Sequence, residues 1–303
     1  MMKQRILITG ASGFLGYALC RQAARWWTVY ATIHRRPVTT APVVPLRVDL
    51  RNEGGVRRLF QEVRPQAVIH AAAVTRLDQC QRDPQVSFAI NVTAAATIAR
   101  RCAHAAIPMV FTSTDLVFDG RHPPYAEADQ PSPLSHYGEQ KAIAEARIRH
   151  IHPGAIICRL PLMFGLSHGE GVDFTSQMIR GILSGQPVRL FVDEFRTPVD
   201  IHSATKGLLQ TLTWPGGIYH MGGRDRVSRF AMGAIVAERL AATQGLLQPI
   251  RAAETADADM RPRDVSLDSR TAFQRGYSPR PVKQGLAETA AEFKRALGSI
   301  GAK

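Results

Sequence analysis

The chain has 303 residues, 45% hydrophobic and 21% charged, the make-up of an ordinary globular protein with room for one large α/β unit or two modest domains. No apolar run approaches the roughly 20 residues of a membrane-spanning helix. The start, "MMKQRILITG", has no secretion-signal pattern, so no membrane partner and a cytoplasmic location are expected. The formal charge is +13, but the positive residues are spread along the chain and only six of the 38 are lysines. Arginine suits bidentate phosphate binding, so small phosphorylated ligands are favoured over nucleic acid.

In chain order, short apolar runs alternate with helical patterns. "RILITG" (5–10), "VYATIH" (29–34), "VVPLRVD" (43–49), "QAVIHAAA" (66–73), "IPMVFTST" (107–114) and "GAIICRL" (154–160) read as buried strands. Helical spacing fills 14–26, 52–63, 85–106 and 135–151. Continuous apolar strands between helices imply a parallel sheet covered on both faces, a doubly wound α/β fold. After Leu160, glycine and proline become frequent. A helix near 172–184, a strand near 188–192, a strand and helix in "PVDIHSATKGLLQTL", and a strand in "GIYHMGG" follow, then a polar loop and a final helix. Residues 1–160 are therefore expected to form a dinucleotide-binding domain of Rossmann type, with 201–222 returning to it. Residues 161–200 and 223–303 would form a smaller substrate-binding lobe.

The four cysteines, Cys20, Cys80, Cys102 and Cys158, have no CxxC spacing, and the ten histidines form no His/Cys cluster. Reduced thiols and no structural zinc are expected.

"ITGASGFLG" places Gly10, Gly13 and Gly16 directly after the first strand and before a helix. Such glycines permit a tight turn and let backbone N–H groups approach a pyrophosphate at the helix N-terminus. Ser12, Phe14 and Leu15 complete that candidate contact. An NAD site usually places an acid about 20 residues further on, yet no Asp or Glu precedes Asp49. His34, Arg35 and Arg36 stand there instead. A guanidinium binds a 2′-phosphate through charge-assisted bonds, which favours NADP(H); a solvated basic turn is the other reading. Asp49, with Leu50 beside it, is a candidate for the adenine amino group, and Ala71, Ala72 and Ala73 are small enough to let a cofactor lie close.

"SHYGEQKAIAE" sets Tyr137 and Lys141 one turn apart on a helix. A phenol titrates near pH ~10, and a nearby ammonium would bring it down towards neutrality. Thr114, in "FTSTDLVFDG", closes the fifth strand at the sheet edge where such folds bind ligands, and its hydroxyl can align a carbonyl with Tyr137.

Glycine turn, strand-end hydroxyl and YxxxK in this order resemble the extended short-chain dehydrogenase/reductase superfamily over nearly the whole chain. "STDLVFDG", "YGEQKAIAE" and "RPRDVSLDS" look most like its dTDP-4-dehydrorhamnose reductase branch. The resemblance implies Thr114, Tyr137 and Lys141 as a catalytic trio that reduces a 4-keto sugar nucleotide with NADPH. It also implies contacts to that substrate from Thr75 and Asp115. Related dehydratases carry Thr-Asp-Glu; here Leu116 stands in the third place and cannot exchange protons. Leu116 also replaces the branch's usual aromatic residue, and "RLPLMFG" lacks its tryptophan, so Met163 and Phe164 are expected to line the sugar pocket. Arg196 and Arg261 either meet substrate phosphates or form structural ion pairs. The rival reading is a non-catalytic, NADP-binding regulatory subunit, similar to that of methionine adenosyltransferase. Assembly as a homodimer stays open.

Overall fold

The computed structural model describes residues 3–34, 43–166, 173–242, 244–255 and 258–300. The first half runs β1 (Arg5–Thr9), α1 (Phe14–Ala23), β2 (Thr28–Ile33), β3 (Val43–Arg47), α2 (Glu53–Val63) and β4 (Ala67–His70). Short helices α3 (Leu77–Arg82) and α4 (Pro84–Phe88) lead through a π-helical turn, Ala89–Ala94, into α5 (Ala95–His104). Then come β5 (Met109–Thr114), α6 (His136–Ile151) and β6 (Ile156–Leu160).

The second half begins with β7 (Met163–Phe164), α7 (Phe174–Leu183), β8 (Val188–Phe191), β9 (Phe195–Arg196) and β10 (Val199–Asp200). It continues with α8 (Ile201–Thr211), β11 (Gly217–His220), β12 (Val227–Ser228) and α9 (Arg229–Leu240). β13 (Leu247–Ile250), α10 (Arg270–Gln274) and α11 (Val282–Ile300) complete it.

Seven strands form one parallel sheet in the order β11-β6-β5-β4-β1-β2-β3. Every residue of β4, β5 and β6 is buried, as expected of central strands with helices on both faces. The period of two divides the strands cleanly. Ile6 and Ile8 pack on one face with α1 and α8, whereas Leu7 joins Val68, Phe111 and Ile157 beneath α2, α5 and α6. Because β1 is flanked by β2 on one side and β4 on the other, the chain reverses its direction of travel there. A crevice at the strands' carboxyl ends follows from that reversal.

A second core, holding Met178, Ile179, Leu190, Met232, Val236, Leu286 and Phe293, lies among α7, α9, α11 and β8. The polar segment ahead of α10 is anchored to the first half. Val265 and Leu267 pack with Val117, Phe118 and Tyr125, and bridges join Tyr125 to Leu267 and Phe195 to Asp264. Ala272 and Tyr277 enter the core of the seven-stranded sheet, although the sequence division assigns them to the second lobe.

Two further elements differ from the sequence expectation. The single helix expected over 85–106 is broken by the π-helical turn, whose Asn91 side chain accepts from Val74 N at 2.8 Å and donates to Val74 O at 3.0 Å. This side chain satisfies loop backbone that would otherwise be buried without a partner. Helix α9 is not singled out in the sequence, where glycine and alanines blur its apolar stripe. Among the described residues, no helix is long and apolar enough to cross a membrane.

Candidate active site

The β1–α1 turn shows why three glycines stand there. Gly10 has φ +72°, and a Cβ on it would lie 2.7 Å from backbone atoms of Ala72; a side chain on Gly16 would collide with the Gly10 carbonyl. Gly13 heads α1 without any side-chain cap, and no acid occupies the helix's first turn. Unpaired N–H groups and the positive end of the helix dipole thus face outward, a setting that attracts an anionic group. Ser12 and Phe14 are partly exposed and Leu15 is buried.

Thr9 ties this turn to the end of β4. Its hydroxyl accepts from Ala71 N and Ala72 N, both at 3.2 Å, and meets His70 Nδ1 at 2.7 Å. With both lone pairs taken, the hydroxyl proton must go to Nδ1, which fixes His70 with its proton on Nε2. Burial holds this histidine down to about 3, with Lys141 adding to the effect, so it is neutral.

After β3, Asp49 is engaged by Arg51 at 2.7 Å, which holds its carboxyl down to about 2. His34 Nε2 lies 4.0 Å from Asp49 Oδ2. Arg35 and Arg36 lie outside the described residues. Leu50 is half-buried and packs against the core beneath α2 and α5.

The end of β5 and the start of α6 bring the hydroxyls together. Thr114 Oγ1 accepts from Leu116 N and donates to Asp115 Oδ1, each at 3.2 Å. It also lies beside the Tyr137 phenol. Ser135 caps α6 through Gly138 N at 3.2 Å, and Gly138 lets the helix press against the Leu116 carbonyl, where any Cβ would clash. Gly138 is not singled out in the sequence, although its place beside Tyr137 is a readable signal.

Electrostatics depart from the simple Tyr–Lys expectation. Burial, then Asp115 and Cys80, push the Tyr137 phenol above its ordinary range. Lys141 Nζ lies 3.9 Å from the centre of the Phe111 ring, and burial brings its ammonium down to about 7 against an opposing pull from Glu145. Desolvation outweighs any ammonium effect on the phenol.

Beneath Lys141 runs a buried chain that sequence reasoning misses. Ser113 donates to Glu145 Oε1; Arg159 grips the same carboxylate at 2.8 to 3.2 Å and reaches His220 Nε2 at 3.3 Å. Glu145 is one helical turn beyond Lys141, so the spacing Tyr137–Lys141–Glu145 was a detectable signal.

Arg196 and Arg261 take the ion-pair arrangement. Arg196 Nε lies 3.5 Å from Asp115 Oδ2, and Arg261 meets Glu194 at 3.2 Å. Arg229, which the sequence does not flag, meets the same Glu194 at 3.1 Å. Three guanidiniums thus meet two buried carboxylates, Asp115 just after β5 and Glu194 just before β9.

Met163 is half-buried and Thr75 is exposed. Phe164 does not line a cavity: it is only 1% exposed and packs within the second core, where the α11 residue Gly285 abuts its ring. A cleft of about 550 Å³ opens at the start of α6, bordered by Pro133, Ser135, His136, Glu139 and Met260. Among the described residues, no group of three or more His, Cys, Asp or Glu could hold a metal ion.

A sequence profile described as the RmlD substrate binding domain matches residues 3–295. The chain belongs to that family. A probable low-salt glycan biosynthesis reductase of Haloferax volcanii is 30% identical over 294 residues, covering 94% of this chain and 97% of the relative. The mouse methionine adenosyltransferase 2 subunit beta is 29% identical over 297 residues, covering 94% and 87%. Among solved structures, the Bacillus anthracis dTDP-4-dehydrorhamnose reductase in complex with NADP superposes with TM-score 0.84 at 25% identity, over 96% of this chain and all of that one. The RmlD-family chain therefore shares its Rossmann-type sheet with extended short-chain dehydrogenase/reductases.

Proposed function

We propose that this protein is an NADPH-dependent reductase of a 4-keto sugar nucleotide, with dTDP-4-dehydrorhamnose the first substrate to test and dTDP-rhamnose the product. The observation that carries the reading is the placing of Thr114, at the end of β5, beside the Tyr137 phenol at the sheet edge that also holds the uncapped helix α1. The names of the reductase relatives, and the NADP in one of them, support it.

The glycine turn with Ser12, Phe14 and Leu15 would hold the cofactor's pyrophosphate, and His34, Arg35 and Arg36 its 2′-phosphate. NADPH, when bound, supplies a hydride. The chain's own groups supply the rest. Tyr137 keeps its proton at neutral pH because burial holds the phenol above its usual range, so it acts as donor to the carbonyl oxygen. Thr114 orients that oxygen. Lys141, held close to its titration point, stabilises the phenolate left behind. Arg196, Arg229 and Arg261 are placed to meet substrate phosphates by exchanging their carboxylate partners.

The test is loss of NADPH absorbance with enzymatically generated dTDP-4-dehydrorhamnose, run against NADH. Oxidation that prefers NADPH and is nearly abolished by Tyr137→Phe, with NADPH binding intact, supports the reading; unchanged turnover in that variant removes Tyr137 as donor. The match to methionine adenosyltransferase 2 subunit beta over 94% of the chain favours a second reading, a nucleotide-binding regulatory subunit. It predicts tight NADPH binding without oxidation, and capture of a methionine adenosyltransferase.

A further inference from the structure

Lys141 is 1% exposed, and a buried ammonium needs a counter-charge or a surface of negative potential. The carboxylate one helical turn on does not provide it. Both oxygens of Glu145 are occupied, one by Ser113 and Arg159 and the other by Arg159 alone. Among the described residues Lys141 Nζ makes no ion pair and no hydrogen bond. What it meets is the face of Phe111, whose ring centre lies 3.9 Å away. An aromatic face carries the negative part of the ring's quadrupole, and its pull on a cation is greatest where water is excluded. Phe111 is fully buried, so that condition is met.

The ring is itself held in place. Phe111 pairs with His70 across β5 and β4, which puts both side chains on one face of the sheet. Phe111 packs there with Ala144 and Ile148 of α6. The two rings stack with centres 5.8 Å apart and planes at 18°, and Thr9 of β1 holds His70 through Nδ1 at 2.7 Å. Burial keeps His70 neutral, so the stack brings no second positive charge to the ammonium. A line of contacts thus runs from β1, which leads into the glycine turn, through β4 and β5 to Lys141.

We propose that Phe111 is a positioning residue for Lys141: its ring face holds Nζ over β5 and favours the ammonium over the neutral amine. The other groups around Lys141 are few. Burial brings the ammonium down to about 7, and Glu145, on the same helix, acts against burial. His70 faces Lys141 from β4. Arg159 of β6 is matched by Glu145, while Asp115 and Cys80, beside α6, act on the Tyr137 phenol. The ring therefore adds to a balance that already stands near neutrality, where its loss changes how much of Lys141 is charged.

The kinetic consequence rests on the reductase reading, but the ring's hold on the ammonium does not, and the two are measured separately. Full-length protein without substrate is labelled with ¹³C at the lysine ε-carbon, and the Lys141 signal among the six lysines is assigned with Lys141→Met. Its titration midpoint is expected near neutrality. Fluorinated phenylalanines placed at position 111 keep the shape of the ring while each fluorine draws charge from its face. The midpoint should therefore fall stepwise from the mono- to the di- to the trifluorinated ring. Phe111→Leu, which removes the face, should lower it by about one pH unit. A midpoint that stays put along the fluorinated series would overturn the proposal whatever Phe111→Leu does, since a ring that only fills space would behave that way. Should Phe111→Leu fail to fold, the series still decides. In the kinetic arm, ketone reduction should lose rate at a lower pH in the fluorinated proteins than in the wild type, in step with the carbon midpoint. Absence of turnover at every pH would count against the reductase reading and leave the carbon titration to judge the proposal.

Discussion

Replacing Glu145 by glutamine removes one charge from a pair in which Arg159 is 1% and Glu145 4% exposed. Arg159 would keep its contact with His220, which is neutral because burial brings it down to about 3, and so would have no counter-charge. Removing one partner of a buried ion pair costs about 3–5 kcal/mol, equivalent to a fall of roughly two to four orders of magnitude in the folded-to-unfolded ratio. Urea unfolding should show the loss as a lower midpoint with an unchanged slope. The double variant Glu145→Leu/Arg159→Met removes both charges and fills similar volume, so it should recover most of the stability. Ser113 would lose its acceptor there, so recovery stops short of complete by about 1–3 kcal/mol. A cost below about 1 kcal/mol for Glu145→Gln, or a double variant less stable than the single one, would refute the account of this pair as a mutually dependent buried unit.

Gly138→Ala drives a methyl group into the Leu116 carbonyl; overpacking of this kind costs about 1–3 kcal/mol, and kcat should fall further than stability explains because Tyr137 moves with the helix. Gly10→Ala combines a positive φ with backbone contact at Ala72, so NADPH affinity by titration calorimetry should drop while the far-ultraviolet dichroism stays native. Stability should also vary with pH in a defined way. His70 and His220 are both held down to about 3, so between there and their ordinary values the unfolded chain binds more protons, and unfolding free energy falls as the solution is acidified. Asp115, raised to about 6, works in the opposite direction over part of that range, and two groups against one leave a net acid loss. Above neutrality Lys141, lowered to about 7, makes stability rise with pH, until the thiols of Cys20 and Cys158, pushed up to about 12, reverse the trend above pH ~9. Unfolding midpoints measured across the pH range that rise monotonically from acid to strongly alkaline pH would contradict these assignments.

What could be read from the sequence was local. The strand at 109–114, the glycine turn and the Tyr137–Lys141 pair each lie within a single element or its boundary, where period and spacing determine geometry. The sheet order follows from strands separated by crossover helices. The chemistry that the sequence did not show is carried by pairs far apart in the chain. Asp115, just after β5, meets Arg196 of β9, and Glu145 meets Arg159 across helix and strand. No periodicity encodes such a meeting, because it depends on how elements settle against one another. Phe164 failed for the complementary reason: an apolar residue after a strand suits a pocket wall and a core equally, and the docking of α11 decides which it becomes.

The same distinction separates the catalytic reading from the regulatory one. A regulatory subunit needs the glycine turn and the fold around it, but it has no need of a phenol held above its ordinary range beside a strand-end hydroxyl. Burying Tyr137, Lys141, Asp115 and Glu145 together removes several ionisable groups from water, each at a cost in folding free energy. Arg159 and Arg196 offset part of that cost and leave Lys141 near its titration point. An arrangement that spends folding stability to hold groups close to titration is what proton transfer requires. If Tyr137→Phe and Lys141→Met were both to raise stability while leaving NADPH binding unchanged, that cost would be measured directly, and the reductase reading would have its thermodynamic counterpart. Lower stability in both would make these side chains structural and favour the regulatory reading.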